Sequence, residues 1–207
     1  GAKLAEFALN QTTPRHVAVK EAVFPFSRFP GVDVFLGPEM KSTGEVMGID
    51  TDFSRAFAKS QLGAGVCLPD SGTVFVSVKD ADKAAYIPIC RKLSQMGFSI
   101  LATGGTTKAL LAEGVPATSI NKVMEGRPHA VDAMLSGQID LIFNTAHGAG
   151  SIKDSFSLRQ TALNNNIPYY TTAAGSRAAV DAIDALADQQ VDVRAIQDYL
   201  PNPSDLS

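Results

Sequence analysis

The residues best suited to chemistry are Thr103-Gly-Gly-Thr-Thr107, which follow the apolar run Ser99–Ala102 and precede a helix-like run. The pattern reads as strand, glycine turn and helix start. Gly104 and Gly105 would let the backbone approach a ligand closely. A helix N-terminus turns unpaired N–H groups and the positive end of its dipole outward. Thr103, Thr106 and Thr107 add hydroxyl groups. Together these suit a phosphate. A strand feeding a capped helix can use the same Gly and Thr for structural reasons alone, so other residues have to decide.

Further polar residues sit at equivalent places. Ser77 closes the run Thr73–Val78, and Lys83 lies just beyond it. Asn121 and Lys122 follow Ala117–Ile120, Asn144 and Thr145 close Ile139–Asn144, and Thr171 and Thr172 close Pro168–Thr171. Hydroxyls, amides and two lysines recur, with no carboxylate pair and no Ser, His and Asp set. That inventory suits binding of a phosphorylated or polyhydroxylated small molecule better than catalysis. Each residue alone would pass for an ordinary cap; five strand ends together argue for a site. His129 and His147 have no second His or Cys at metal-ligand spacing and read as hydrogen-bonded loop residues.

Those positions have meaning only if the elements around them form a sheet. From residue 72 onward, short β-branched runs alternate with helix-like segments at Asp80–Met96, Thr106–Glu113, Arg127–Ser136, Ser151–Asn164, Ser176–Ala187 and Val193–Leu200. Asp80 is the expected N-cap of the first helix and Pro88 should kink or split it. Gly114 should close the second. Alternating strands and helices imply an α/β fold, a three-layer αβα domain around a central parallel sheet. Ligands of such sheets bind beyond the carboxyl ends of the strands.

Residues 1–71 read differently. Val17–Phe26 alternates like a strand, but Phe29–Gly48 is rich in Pro and Gly and shows no period. Thr51–Leu62 is amphipathic, with Phe53, Ala56, Phe57 and Leu62 near one face and Asp50 or Thr51 as its cap. Gly63–Gly72 reads as a linker. This part resembles the tail of a preceding domain, either poorly buried or packing its phenylalanines on the αβ domain or on another chain. The expected division is therefore 1–71 and 72–207.

Composition limits the functions available. The 207 residues are 45% hydrophobic with a net charge of −3, which does not point to nucleic acid. The two cysteines, Cys67 and Cys90, read as free thiols in a reducing compartment. No apolar run approaches a membrane span or a signal peptide, so a cytoplasmic protein is expected. The chain begins at Gly1, which fits a fragment or a tagged chain.

Longer motifs add a resemblance. Val19–Phe26, Phe29–Gly31, the run GPEMKSTGEVMG ending at Gly48, and Ala56–Gly63 resemble the end of the second ATP-grasp unit of carbamoyl-phosphate synthase large subunits. Ser77–Lys83, Ala102–Thr106, NKVMEGRPH over Asn121–His129 and Ile142–Thr145 resemble the same subunit's C-terminal regulatory domain, of methylglyoxal-synthase-like fold. The resemblance runs from about residue 16 to residue 188. It implies an allosteric domain binding UMP or IMP, in an enzyme that makes carbamoyl phosphate from glutamine-derived ammonia, bicarbonate and ATP with Mg²⁺ or Mn²⁺. That enzyme works with a glutaminase small subunit and serves pyrimidine and arginine synthesis. Homo-oligomers are also compatible with it.

By the same resemblance, Lys83, Thr103, Gly104, Gly105 and Thr106 would hold the phosphate. Ser77, Lys122, Asn144, Thr145 and Thr172 would face phosphate, ribose or base. Glu21 and Thr171 would be remnants of an ornithine site, in which Tyr170 replaces an expected Asp. Ala146 replaces a Thr or Ser, and Gly104 a His. The ATP-grasp residues that bind ATP and metal would lie ahead of Gly1, leaving this chain without catalysis. Three rivals stand beside this reading. A methylglyoxal synthase would need a carboxylate base, Glu125 or Asp132, beside dihydroxyacetone phosphate. A purine-pathway cyclohydrolase shares the glycine turn but lacks GPEMKSTGEVMG. A pure assembly module would keep an idle pocket.

Overall fold

The computed structural model describes residue 3 and residues 16–23, 44–145, 155–188 and 191–199. Three strands with apolar side chains on both faces make the middle of a sheet: β3 (Thr73–Val78), β4 (Ser99–Thr103) and β6 (Leu141–Thr145). Short strands β5 (Thr118–Ile120) and β7 (Tyr169–Tyr170) flank them. The order is β5-β4-β3-β6-β7, and all pairs are parallel. The chain moves outward from β3 through β4 to β5, then returns to the other side of β3 for β6 and β7. The direction therefore switches between β3 and β6, where open parallel sheets form a crevice.

Helices cover both faces. On one lie α2 (Lys83–Gln95), α3 (Gly104–Ala112) and α6 (Ala173–Asp188), which bury Tyr86, Leu93, Leu110 and Val180 against Val74, Val76 and Phe143. On the other lie α4 (Ala130–Leu135) and α5 (Phe156–Asn164), packing Met134 and Leu158 on Phe75 and Ile142. The three-layer αβα fold expected from the sequence is present. Strand residues alternate faces, so Phe75 and Ser77 share the α4/α5 side while Val76 and Val78 share the other.

Several local expectations are corrected. Gly44–Asp50 is a strand, β2, where the sequence suggested an irregular loop; it pairs antiparallel with β1 (Val17–Val23), Val17 opposite Asp50. The glycine there serves close packing. A Cβ on Gly48 would lie 2.0 Å from the Ala56 carbonyl oxygen, inside α1 (Phe53–Gly63). The cap of α1 is Asp52, whose carboxylate accepts the Arg55 N–H at 3.0 Å, while Asp50 turns to Lys59 at 2.8 Å and Arg55 at 3.3 Å. Phe57 does pack on the αβ unit, meeting Ala179 and Ala182 of α6, but Phe53 stays half exposed. Helix α2 runs unbroken through Pro88. Pro88 and Ala84 are both exposed, so solvent can serve the Ala84 carbonyl that a residue-88 N–H would have met. Asp80 is not the α2 cap. It lies in a 3₁₀ turn, Asp80–Asp82, ahead of the helix. Gly114 closes α3 with φ +71°, as the sequence implied. His129 caps α4, its Nδ1 accepting the Asp132 N–H at 3.4 Å. His147, Ala146 and the segment 24–43 lie outside the described residues.

Candidate functional site

At the switch point, beyond the carboxyl ends of β3, β4 and β6, lies a cavity of about 380 Å³. That size suits a small ligand. Its floor follows from strand register. Val76 pairs with Ala102, and Ser77 with Asn144, so Thr103, Ser77 and Asn144 form one row across three strands. All three are on the face that packs Phe75 and Ile142 further back. The apolar stripe thus ends in three polar side chains where the helices no longer cover the sheet. Thr103 and Asn144 are each only 3% exposed.

The hydroxyls on one side form a loose chain. Thr103 Oγ1 donates to Ser77 Oγ at 3.4 Å and lies 3.4 Å from Thr106 Oγ1, which accepts the Val78 N–H at 3.4 Å. These bonds are long for hydroxyls, so the protons can swing onto a better acceptor. Thr145 Oγ1 accepts the Lys79 N–H at 3.1 Å and keeps its own proton to donate. The cation is Lys83, at the start of α2, its side chain 23% exposed and its Nζ 2.7 Å from Asp80 Oδ1. Gly105 belongs to the first turn of α3, and a Cβ there would lie 3.1 Å from Lys83 Nζ. Ammonium, helix N-terminus and hydroxyls therefore converge on one wall, the donor set of an oxyanion site. Lys79 and Lys122 complete the basic rim.

Of the residues singled out in the sequence, Ser77, Lys83, Thr103, Gly105, Thr106, Lys122, Asn144 and Thr145 line this cavity. Four do not. Gly104 is one residue back in the same turn, with only Ser119 Oγ near its missing Cβ, at 4.0 Å. Thr172 accepts the Gly175 N–H at 3.1 Å and so holds the start of α6. Thr171 is exposed. Glu21 lies on β1, where burial raises its pKa against the opposing hydrogen bond from Gln61 of α1. Thr107 turns its hydroxyl inward to the Ala102 carbonyl at 2.9 Å, closing the strand–helix turn.

Two contributors escaped sequence reading. Ser155 Oγ accepts from Asn144 Nδ2 at 3.0 Å, and the Tyr169 hydroxyl from the same nitrogen at 2.5 Å. Both amide protons of Asn144, a residue that lines the cavity, are thereby used. Tyr169 could have been found by parity, since it pairs with Ile142 and shares a face with Asn144. Ser155 carried no signal, because it reaches the cavity from the start of α5.

The carboxylates a lyase would need are otherwise engaged. Glu125 accepts the Lys122 N–H at 2.9 Å, and Asp132 the His129 N–H at 3.1 Å with Arg127 at 3.5 Å. Neither lines the cavity. Among the described residues, no group of three His, Cys, Asp or Glu side chains could hold a metal ion, and no helix is long and apolar enough to cross a membrane.

Comparison with known proteins places the chain in a family. The family described as the MGS-like domain matches residues 85–171. The carbamoyl phosphate synthase large chain of Brucella suis biovar 1 is 58% identical over 190 residues, covering 91% of this chain and 16% of its own length. That of Myxococcus xanthus is 52% identical, covering 97% and 19%. An arginine-specific chloroplastic large chain of Oryza sativa subsp. japonica is 48% identical, covering 96% and 17%. The chain thus spans less than a fifth of the length of these relatives. Among solved structures, methylglyoxal synthase from Elizabethkingia anophelis is 16% identical with a TM-score of 0.44, over 55% of this chain and 79% of its own. At 58% identity across nine-tenths of its length, the chain belongs to the carbamoyl phosphate synthase large-chain family and carries an MGS-like domain.

Proposed function

We propose that this chain is the allosteric segment of a carbamoyl phosphate synthase large chain and that its cavity binds a nucleoside monophosphate, UMP or IMP. The observation that carries the reading is the convergence of Lys83, the first turn of α3 and the Thr103 and Thr106 hydroxyls on one wall of the cavity. Phosphate would lie there, with Lys122 at the rim. Ser77, Asn144 and Thr145 would meet the sugar and base. Residues 1–71 are the tail of the ATP-grasp unit in this reading, and Thr172 acts by holding α6 in place. ATP, Mg²⁺ or Mn²⁺ and the glutaminase small subunit belong to the parent enzyme of pyrimidine and arginine synthesis in the cytoplasm. The segment itself does not catalyse. Glu125 and Asp132, committed to their caps, leave methylglyoxal synthase chemistry without the base it was expected to use.

Titration calorimetry of the chain with UMP and IMP, beside Lys83→Ala, tests the reading. Micromolar binding of either, lost in the variant, is the expected result. No binding by the wild type, or equal binding by the variant, refutes the assignment of the phosphate wall. Methylglyoxal formed from dihydroxyacetone phosphate by this chain would establish the rival instead.

A further inference from the structure

The cations of the cavity already have an anion among them. Asp80 is the one acidic side chain among the described residues that line it, beside Lys79, Lys83 and Lys122. Its Oδ1 lies 2.7 Å from Lys83 Nζ. The same ammonium lies against Gly105, so Lys83 is held between the Asp80 carboxylate and the first turn of α3. Nothing buries that carboxylate, whose side chain is 95% exposed. The Lys83 hydrogen bond and charge, with a weaker pull from Lys122, hold its pKa below the ordinary carboxylate range. An ion pair this exposed is weak and exchangeable. Lys79 has a separate partner, Asp82 at 3.6 Å, and Lys83 is the cation that Asp80 pairs with.

An incoming phosphate needs the Lys83 position that Asp80 holds. We infer that Asp80 is a built-in counter-anion of the cavity, displaced from Lys83 when a phosphate binds, and that its charge sets how tightly phosphate-bearing ligands are held. The inference rests on the reading of the cavity as a phosphate site. It implies a threshold, since a ligand must outcompete a carboxylate. A dianionic phosphate does so readily, and a neutral nucleoside does not compete at all. Asp80 therefore tunes selectivity without touching the bound ligand.

The test compares wild type, Asp80→Asn and Asp80→Glu, with folding checked by circular dichroism. UMP, IMP and their nucleosides are titrated by calorimetry. Inorganic phosphate is titrated separately through the amide NMR signals of Gly105 and Thr106. Asp80→Asn should tighten the phosphate-bearing ligands about threefold or more, the scale of one screened charge. Asp80→Glu should stay near wild type and the nucleosides should be unaffected. Tightened phosphate binding with neither nucleotide bound would support the counter-anion and remove the nucleotide reading. Binding by Asp80→Asn alone would also support it. Equal or weaker binding by Asp80→Asn of whichever ligand the wild type holds overturns the inference, as does no binding of any of them by either protein.

Discussion

Gly104 and Gly105 are neighbours in one helical turn, yet alanine at each should have different consequences. Neither has positive φ, so alanine meets no backbone strain at either place. Replacing a helical glycine by alanine stabilises by about 0.5–1 kcal/mol. At Gly104 the new methyl meets only Ser119 Oγ at 4.0 Å, so this gain should appear intact and ligand binding should not change. At Gly105 the methyl would lie 3.1 Å from Lys83 Nζ, which must withdraw by a few tenths of an ångström. A four-carbon stem does that at little cost to folding, but the ammonium is pushed back from the helix N-terminus. One charge-assisted hydrogen bond is worth about 1.5–3 kcal/mol. Losing half of it weakens phosphate-bearing ligands by about threefold to tenfold. Urea unfolding and calorimetry with UMP and IMP, run on both variants, read the two effects. The reasoning fails if Gly105→Ala binds like wild type, or if Gly104→Ala weakens binding as much.

Other expectations concern the rest of the molecule. Burial alone would raise the pKa of Asp50, but Lys59, the Thr51 N–H and Arg55 outweigh it and bring the value from 3.8 to about 2. Its stabilisation, about 2 kcal/mol, is complete above the unfolded value and is lost as pH falls through the folded one. Wild type should therefore lose about 2 kcal/mol more than Asp50→Asn between pH 5 and pH 2 in urea titrations; parallel curves would refute this. Gly48→Ala drives a methyl against the α1 backbone at Ala56 and Ser60 and should cost more than about 2 kcal/mol, measured by the same unfolding assay. Burial pushes the Cys90 thiol up to about 12, while Cys67 is exposed. A thiol reagent at neutral pH should label one cysteine in the native protein and two in denaturant. Tyr170→Phe removes the hydroxyl that donates to Gln61 Oε1 at 2.9 Å and should cost about 1 kcal/mol, with faster amide exchange in β1.

The αβ core was legible because strands buried on both faces appear as uninterrupted apolar runs, TVFVSV and LIFNT among them. The polar residues that end those runs were legible for the same reason, since the sheet brings its strand ends together. What escaped depended on distant partners. Gly48 looked like a loop glycine because its reason, the α1 backbone, is supplied by residues 56–60. Pro88 looked like a break because exposure of its helix face is not a local property. Thr107 looked like a ligand donor, but its hydroxyl donates to the Ala102 carbonyl, and Thr172 also accepts the Gly175 N–H at the start of α6. Asp80 looked like a cap, and its partner proved to be the cation of the cavity.

The sheet is broad in the middle and narrow at its margins. Its outermost strands, β5 and β7, contain three and two residues. Pro116 and Pro168, which lack an N–H, stand shortly before them. A second copy approaching either margin would find too few free backbone groups to extend the ladder, and edge-to-edge growth is the usual start of β-aggregation. High concentration should therefore not drive this sheet to polymerise. Among the described residues, the surfaces left for association between copies are helix faces and the β1–β2 pair, which side chains can make selective.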